Sequence, residues 1–135
     1  MAIRLYVIVI VIILLTALIT LSADFAEAGE WQLTVVDSTG WIGSYTSLAL
    51  DSSGNPRISY HGDNDLKYAW YDGTWHTETI DSTGTYAVGL YTSLALDSGG
   101  NPHISYYDST NDDLKYAWYD GTWHIETVDS TGDIL

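Results

Sequence analysis

The sequence predicts an all-β fold made of repeated four-stranded antiparallel sheets, and three observations lead there. Trp31 to Gly40, ending Asp37-Ser-Thr-Gly, recurs as Trp75 to Gly84 and as Trp123 to Gly132, at spacings of 44 and 48 residues that mark a repeat architecture. Between these copies, Tyr45-Thr-Ser-Leu-Ala-Leu-Asp51-Ser-Ser-Gly-Asn-Pro56 returns almost unchanged as Tyr91 to Pro102, and Leu66-Lys-Tyr-Ala-Trp-Tyr-Asp-Gly-Thr-Trp-His76 returns as Leu114 to His124. No amphipathic helical period is found after Leu21, whereas the runs between turn signals alternate with period two.

Each unit divides at its turns. Residues 52–56 and 98–102 combine Gly, Asn and Pro, which accept positive φ or end ladder donation, and Asp72-Gly73 and Asp120-Gly121 favour tight type I′ hairpins. Four strands result in the first unit: a, Thr46 to Asp51; b, Arg57 to Tyr60; c, Leu66 to Tyr71; and d, Thr74 to Asp81. Leu48 and Leu50 oppose Ser47 and Ala49, Ile58 and Tyr60 oppose Arg57 and Ser59, and Tyr68 and Trp70 oppose Lys67 and Ala69. The second unit differs by two short insertions, six residues (85–90) for four (41–44) and seven (107–113) for five (61–65), both in expected loops. Four antiparallel strands per 44–48 residues, rich in Trp, Tyr, Gly and Asp, form the pattern of β-propeller blades, here blade 1 at about 45–81 and blade 2 at about 91–129. A further rim strand is expected over Glu30 to Asp37, with Trp31, Leu33 and Val35 available to link one subunit to the next.

Composition narrows the partners. The 135 residues carry 4 basic and 18 acidic side chains, a net charge of −14, which is the wrong sign for nucleic acid or an anionic membrane surface. Eleven Tyr and six Trp argue for a folded, aromatic-rich domain, and the absence of Cys excludes disulfides, thiolate metal sites and cysteine nucleophiles. Leu5 to Leu21 is a 17-residue apolar stretch after Arg4, predicting an N-terminal hydrophobic helix of about 25 Å. With Ala26-Glu-Ala28 behind it, residues 1–28 read as a cleaved signal peptide or, alternatively, a retained signal anchor, the chain's one membrane contact. Either places residues 29–135, the two-blade repeat region, outside the cytoplasm as a secreted or surface protein with three basic and sixteen acidic residues, net −13.

Residues 93–107 (Ser-Leu-Ala-Leu-Asp-Ser-Gly-Gly-Asn-Pro-His-Ile-Ser-Tyr-Tyr), followed by 114–124, resemble the tandem repeats of secreted or surface β-propellers of bacteria and archaea. The Leu-Asp-Ser-x-Gly-Asn turn is similar to that of NHL-type propellers, and Tyr-Asp-Gly-Thr-Trp is distantly similar to the Asp-box hairpin of sialidases. Sialidases hold their substrate with several arginines, while residues 29–135 contain only Arg57, so the resemblance does not extend to that chemistry. Propellers close with about four to eight blades. Two-blade lectins, which the chain also resembles distantly, close by assembling copies, and the resemblance implies self-association here as well.

The candidate sites follow from repeat position. The resemblance to propeller lectins, which stack such recurring aromatics on sugar faces between blades, implies Trp75 and Trp123, with neighbouring His76 and His124, as candidate carbohydrate-binding residues, and strand alternation leaves Trp70 and Trp118 as core-like. Asp63, Asp65, Asp108, Asn111, Asp112 and Asp113 cluster oxygen donors in the b-to-c loops, as Ca²⁺ requires, although without EF-hand spacing. No nucleophile–base pair, P-loop or dinucleotide fingerprint is present, so no enzyme is expected. The expectation is an exported, non-enzymatic subunit that assembles with itself through blade edges and binds carbohydrate. Its alternatives are a structural subunit of an extracellular filament, linked by strand donation and Ca²⁺, and a fragment of a longer propeller.

Overall fold

A computed structural model describes residues 30–130. The fold is all-β, with eight strands: β1 Ile42–Leu50, β2 Pro56–Gly62, β3 Asp65–Tyr71, β4 Trp75–Asp81, β5 Val88–Leu96, β6 Pro102–Asp108, β7 Asp113–Tyr119 and β8 Trp123–Asp129. They form two antiparallel meanders, β1-β2-β3-β4 and β5-β6-β7-β8. The four expected strands of each unit are all present, and strands a and b begin or end a few residues beyond their expected limits. The apolar segment 5–21 and the processing region up to residue 28 lie outside the described residues.

Two expectations require correction. Residues 30–37 form no strand: they are irregular, with Trp31 and Leu33 almost fully exposed and Val35 largely so. An isolated segment gains no ladder hydrogen bonds, and among the described residues no strand pairs with this one. The Asp-Gly dipeptides, in turn, do not make two-residue hairpins. Tyr71 pairs with Trp75, leaving a three-residue loop in which Gly73 has φ +117° and the Asp72 carboxylate accepts the Thr74 N–H. The two-residue turn falls instead at Asp63-Asn64, where both residues have positive φ.

The β1-β2 and β5-β6 turns are built by one aspartate each. Asp51 accepts the N–H groups of Ser53 and Asn55, both at 2.9 Å, and Asp97 accepts those of Gly99 and Asn101, both at 2.8 Å. These carboxylates preorganise the turn, which is why the Asp-Ser-x-Gly-Asn string is repeated.

The core lies between the sheets, where β5 packs across β1, β2 and β3 and brings Val88, Leu94, Ile104 and Tyr106 against Leu66 and Tyr68. The approach is close at Gly89, where a Cβ would stand 2.6 Å from the Leu66 Cα. Polar contacts set the register. Ser59 Oγ donates to Thr92 Oγ1 and Thr92 Oγ1 to the Tyr45 carbonyl, each at 2.8 Å, while Leu94 N–H donates to Ser47 Oγ at 3.0 Å. Burying Val88, Leu94 and Ile104 is worth about 2 kcal/mol each, against roughly 1 kcal/mol net per hydrogen bond. Apolar burial therefore supplies the strength and the hydrogen bonds fix the alignment.

A clasp at the end of β4 completes the contact. The buried Asp81 carboxylate accepts the Tyr106 hydroxyl of β6 at 2.7 Å and the Lys115 ammonium of β7 at 2.6 Å, and it receives Thr83 through both N–H and hydroxyl. Burial alone would raise its pKa, but these donors outweigh it and hold the group at about 2. Asp37 repeats the clasp at the start of the first sheet, accepting Tyr60 at 2.8 Å and Thr39.

Candidate functional site

The two faces of each sheet have different duties. In the first sheet Arg57, Trp70 and His76 pair across β2, β3 and β4, and Ser59, Tyr68 and Glu78 form the next row. Alternation places both rows on one face, the one turned toward the second sheet. The second sheet answers with its opposite face, bringing Tyr119 of β7, Trp123 of β8 and the Gly100-Asn101-Pro102 turn to the same place. A cleft of about 300 Å³ lies between them.

Its walls are aromatic. Tyr68 stacks on Trp70 at 5.9 Å and meets Trp123 edge-to-face at 5.5 Å, and Tyr119 meets Trp123 edge-to-face at 5.5 Å. Trp123 is fixed from across the cleft, since its Nε1–H donates to Glu78 Oε2 at 3.1 Å.

Its polar groups include Arg57, Tyr68, Glu78 and Asn101. Asp51 holds one prong of Arg57, Nη2 to Oδ2 at 2.9 Å, and lies at about 2 in pKa because Asn55 and the guanidinium donate to it. Burial acts against the Arg57 charge, but Asp51 and Tyr68 outweigh it and hold the guanidinium more firmly protonated. The Tyr68 hydroxyl faces the guanidinium without an aligned hydrogen bond, and burial raises its pKa, so it stays a donor. Arg57 Nε and the Tyr68 hydroxyl are both buried and have no hydrogen-bond partner.

Of the four candidate carbohydrate residues, the structure brings Trp123 into this cleft. Trp75, its repeat mate, is half-buried on the opposite face of the first sheet. His76 and His124 stack on Trp70 and Trp118 at 5.0 and 5.1 Å and bond to Asp72 and Asp120, each at 2.9 Å. Arg57, Tyr68, Trp70 and Glu78 complete the cleft without having been singled out for it. The one available signal was that Arg57 is the only Arg after residue 28 and that His103 replaces it in the second repeat.

The acidic loop residues are dispersed onto protein donors. Asp63 accepts the Trp41 N–H, Asp112 the Tyr107 hydroxyl, and Asp108 the Thr110 N–H and the Asn111 amide. Asp65 is half-buried, and burial raises its pKa; Asp113 is half-buried and Asn111 exposed. Among the described residues no group of three or more His, Asp or Glu side chains is placed to hold a metal ion. A second cavity of about 390 Å³, lined by Trp41, His61 and Asp63, is larger but contains no unpartnered buried polar atom.

No protein-family model and no curated protein matches the chain. A solved structure of a fucose lectin from Kordia zhangzhouensis in complex with methyl-fucoside is similar to it, with a TM-score of 0.45 and 21% sequence identity over 64% of this chain and 64% of that one. The match thus spans less than two thirds of the lectin chain.

Proposed function

We propose that the chain is a carbohydrate-binding module, that its two sheets are successive blades of a β-propeller, and that the cleft between them holds one sugar ring. The observation that carries this reading is a cleft in which Arg57, Glu78 and Asn101 stand beside an aromatic wall of Tyr68, Trp70, Tyr119 and Trp123. A pyranose needs both: donors and acceptors for its hydroxyls, and an aromatic surface for its C–H face. Glu78 supplies the acceptor. Glycoside hydrolysis calls for two carboxyl groups flanking the bond, whereas Glu78 is the single carboxylate lining this cleft, which favours binding over catalysis.

Export through the apolar segment 5–21 accords with an extracellular glycan as partner. Self-association is favoured by a separate observation. Leu48 and Leu50 of β1 and Leu114 and Val128 of the second sheet are exposed, while their repeat mates Leu94, Leu96, Leu66 and Ile80 are buried or packed against the core. The two open faces are the two halves of an interface the chain already makes once internally.

Calorimetric titration with the methyl glycosides of fucose, galactose, mannose and glucose tests the reading. At least one should bind, and Arg57→Ala and Trp123→Ala should each weaken it tenfold or more while the far-UV circular dichroism is retained. Equal binding by both variants, or no binding to any of the four, would overturn it.

A further inference from the structure

We infer that Tyr45 and Tyr91 form a modification site, a pair of phenols placed to be joined by one-electron oxidation into a dityrosine that ties the first sheet covalently to the second within one chain.

Both rings stand on irregular backbone. The β1–β2 ladder shifts register between Ser44 and Ser47, and the β5–β6 ladder between Leu90 and Ser93. Tyr45 (φ +50°) and Tyr91 (φ +53°) lie inside these shifts in the left-handed region, each two residues after a glycine that also has positive φ. A bulky side chain is disfavoured in that conformation, and yet both repeats carry Tyr there. Bulges of this kind re-aim the side chains they carry.

The effect here is to bring the two rings together. Their centroids are 4.6 Å apart, at the short end of the aromatic contact range of about 4.5–7 Å. The neighbouring Tyr91 hydroxyl pushes the Tyr45 pKa above its ordinary value, so the oxygens stand together as the rings do. The backbones beneath are tied as well: Thr92 Oγ1 donates to the Tyr45 carbonyl at 2.8 Å, and the Leu94 N–H donates to Ser47 Oγ at 3.0 Å. Both rings are open to a reagent, Tyr45 being 43% and Tyr91 67% exposed.

Other tyrosines are less well placed. Among the described residues one further tyrosine pair is in ring contact, Tyr91 with Tyr107 at 6.5 Å, and the half-buried Tyr107 donates its hydroxyl to Asp112 at 2.6 Å. Tyr60 and Tyr106 are buried, with their hydroxyls on Asp37 and Asp81.

The oxidant is hydrogen peroxide acting through a haem peroxidase. Each phenol gives up its O–H hydrogen as one electron and one proton, and the two together reduce one peroxide to two waters. The phenoxyl radicals then pair through the ring carbons ortho to oxygen, forming one carbon–carbon bond. Each of those carbons loses its hydrogen as a proton and each oxygen regains one, which restores both aromatic rings. Because the rings already touch, coupling is intramolecular and needs no encounter between chains. The bond joins two sheets in a chain that has no cysteine for a disulfide, and a link between residues 45 and 91 restricts the unfolded chain as a disulfide would.

The test treats the full chain, at high dilution, with a haem peroxidase and one equivalent of hydrogen peroxide. The product should weigh two hydrogen atoms less, show dityrosine fluorescence, keep single-chain mobility under denaturing conditions and unfold at a higher temperature than the untreated chain. Proteolysis and peptide sequencing should give one linked pair, Tyr45 with Tyr91. Tyr45→Phe and Tyr91→Phe should each lower the dityrosine yield at least tenfold, whereas Tyr86→Phe and Tyr107→Phe should leave it within twofold, with far-UV circular dichroism unchanged in all four. If either of the first two variants fails to fold, the linked peptides of the wild-type chain decide. Absence of dityrosine, coupling chiefly between chains, or a link that maps to Tyr86 or Tyr107 would overturn the inference.

Discussion

Strands β1 and β5 share Tyr-Thr-Ser-Leu-Ala-Leu letter for letter, and yet they bury opposite sides of themselves. In β5, Leu94 is buried and Leu96 half-buried against the first sheet, with Ser93 and Ala95 exposed; in β1, Ser47 and Ala49 are half-buried beneath the second sheet, with Leu48 and Leu50 exposed. The same contrast runs through the clasp. Lys115 is buried between Asp81 and Asp108, while in the first sheet Lys67 is half-buried and Gly62 stands where Asp108 would be. Identical residues are thus read as core or surface according to which neighbouring sheet lies beside them among the described residues.

The largest expected effect breaks this contrast at the clasp. Lys115→Met leaves the Asp81 and Asp108 carboxylates buried together and should cost about 3–5 kcal/mol of unfolding free energy in urea. Lys67→Met should cost under about 1 kcal/mol, because its position is half-buried and it acts on Asp37 and Asp65 only through longer-range charge attraction. Next is the leucine pair. Leu94→Ala should lose about 2–4 kcal/mol, and Leu48→Ala within about 0.5 kcal/mol when measured on dilute single chains. If chains associate through β1, the Leu48→Ala loss should rise with protein concentration.

Glycine separates packing from backbone strain. Gly43 and Gly89 have nearly the same positive φ, so alanine carries the same conformational penalty at each, but only at Gly89 does its Cβ meet the Leu66 backbone. The difference between Gly89→Ala and Gly43→Ala in thermal unfolding should therefore be the clash alone, about 1–3 kcal/mol. The last effect is one of pH. The Asp81 carboxylate is held at about 2, below its ordinary 3.8, so its contribution is fully present above pH 4 and is lost as the pH falls toward 2. That loss amounts to roughly 2 kcal/mol. Asp81→Asn should flatten this part of the stability profile.

Most of the architecture was legible because each strand carries its own alternation and each turn its own aspartate or glycine, all local signals. Leu66 to Tyr71 can be read as a strand from six letters. Residues 30–37 misled for the same reason: Trp31, Leu33 and Val35 alternate as a strand does, but a strand forms only when another lies beside it. The cleft was half legible. Trp123 was marked by its recurrence and its face, whereas Arg57 and Glu78 come to it from separate strands of the other sheet. Repetition also hid the difference between Trp75 and Trp123, because equal letters at equal positions predict equal environments and only the count of neighbouring sheets distinguishes them.

The clasp has a consequence for how such a chain can lengthen. Asp81 closes one sheet and is held by Tyr106 and Lys115 of the next, just as Asp37 is held by Tyr60 of the first. Each sheet thus begins by gripping the last residue of whatever precedes it. A duplicated gene segment that carried both an Asp-Ser-Thr ending and a Tyr-bearing second strand would arrive with both halves of its joint already made. Such an array can grow or shrink by whole units without inventing a new contact, and residues 66–76 and 114–124 are identical at all eleven positions.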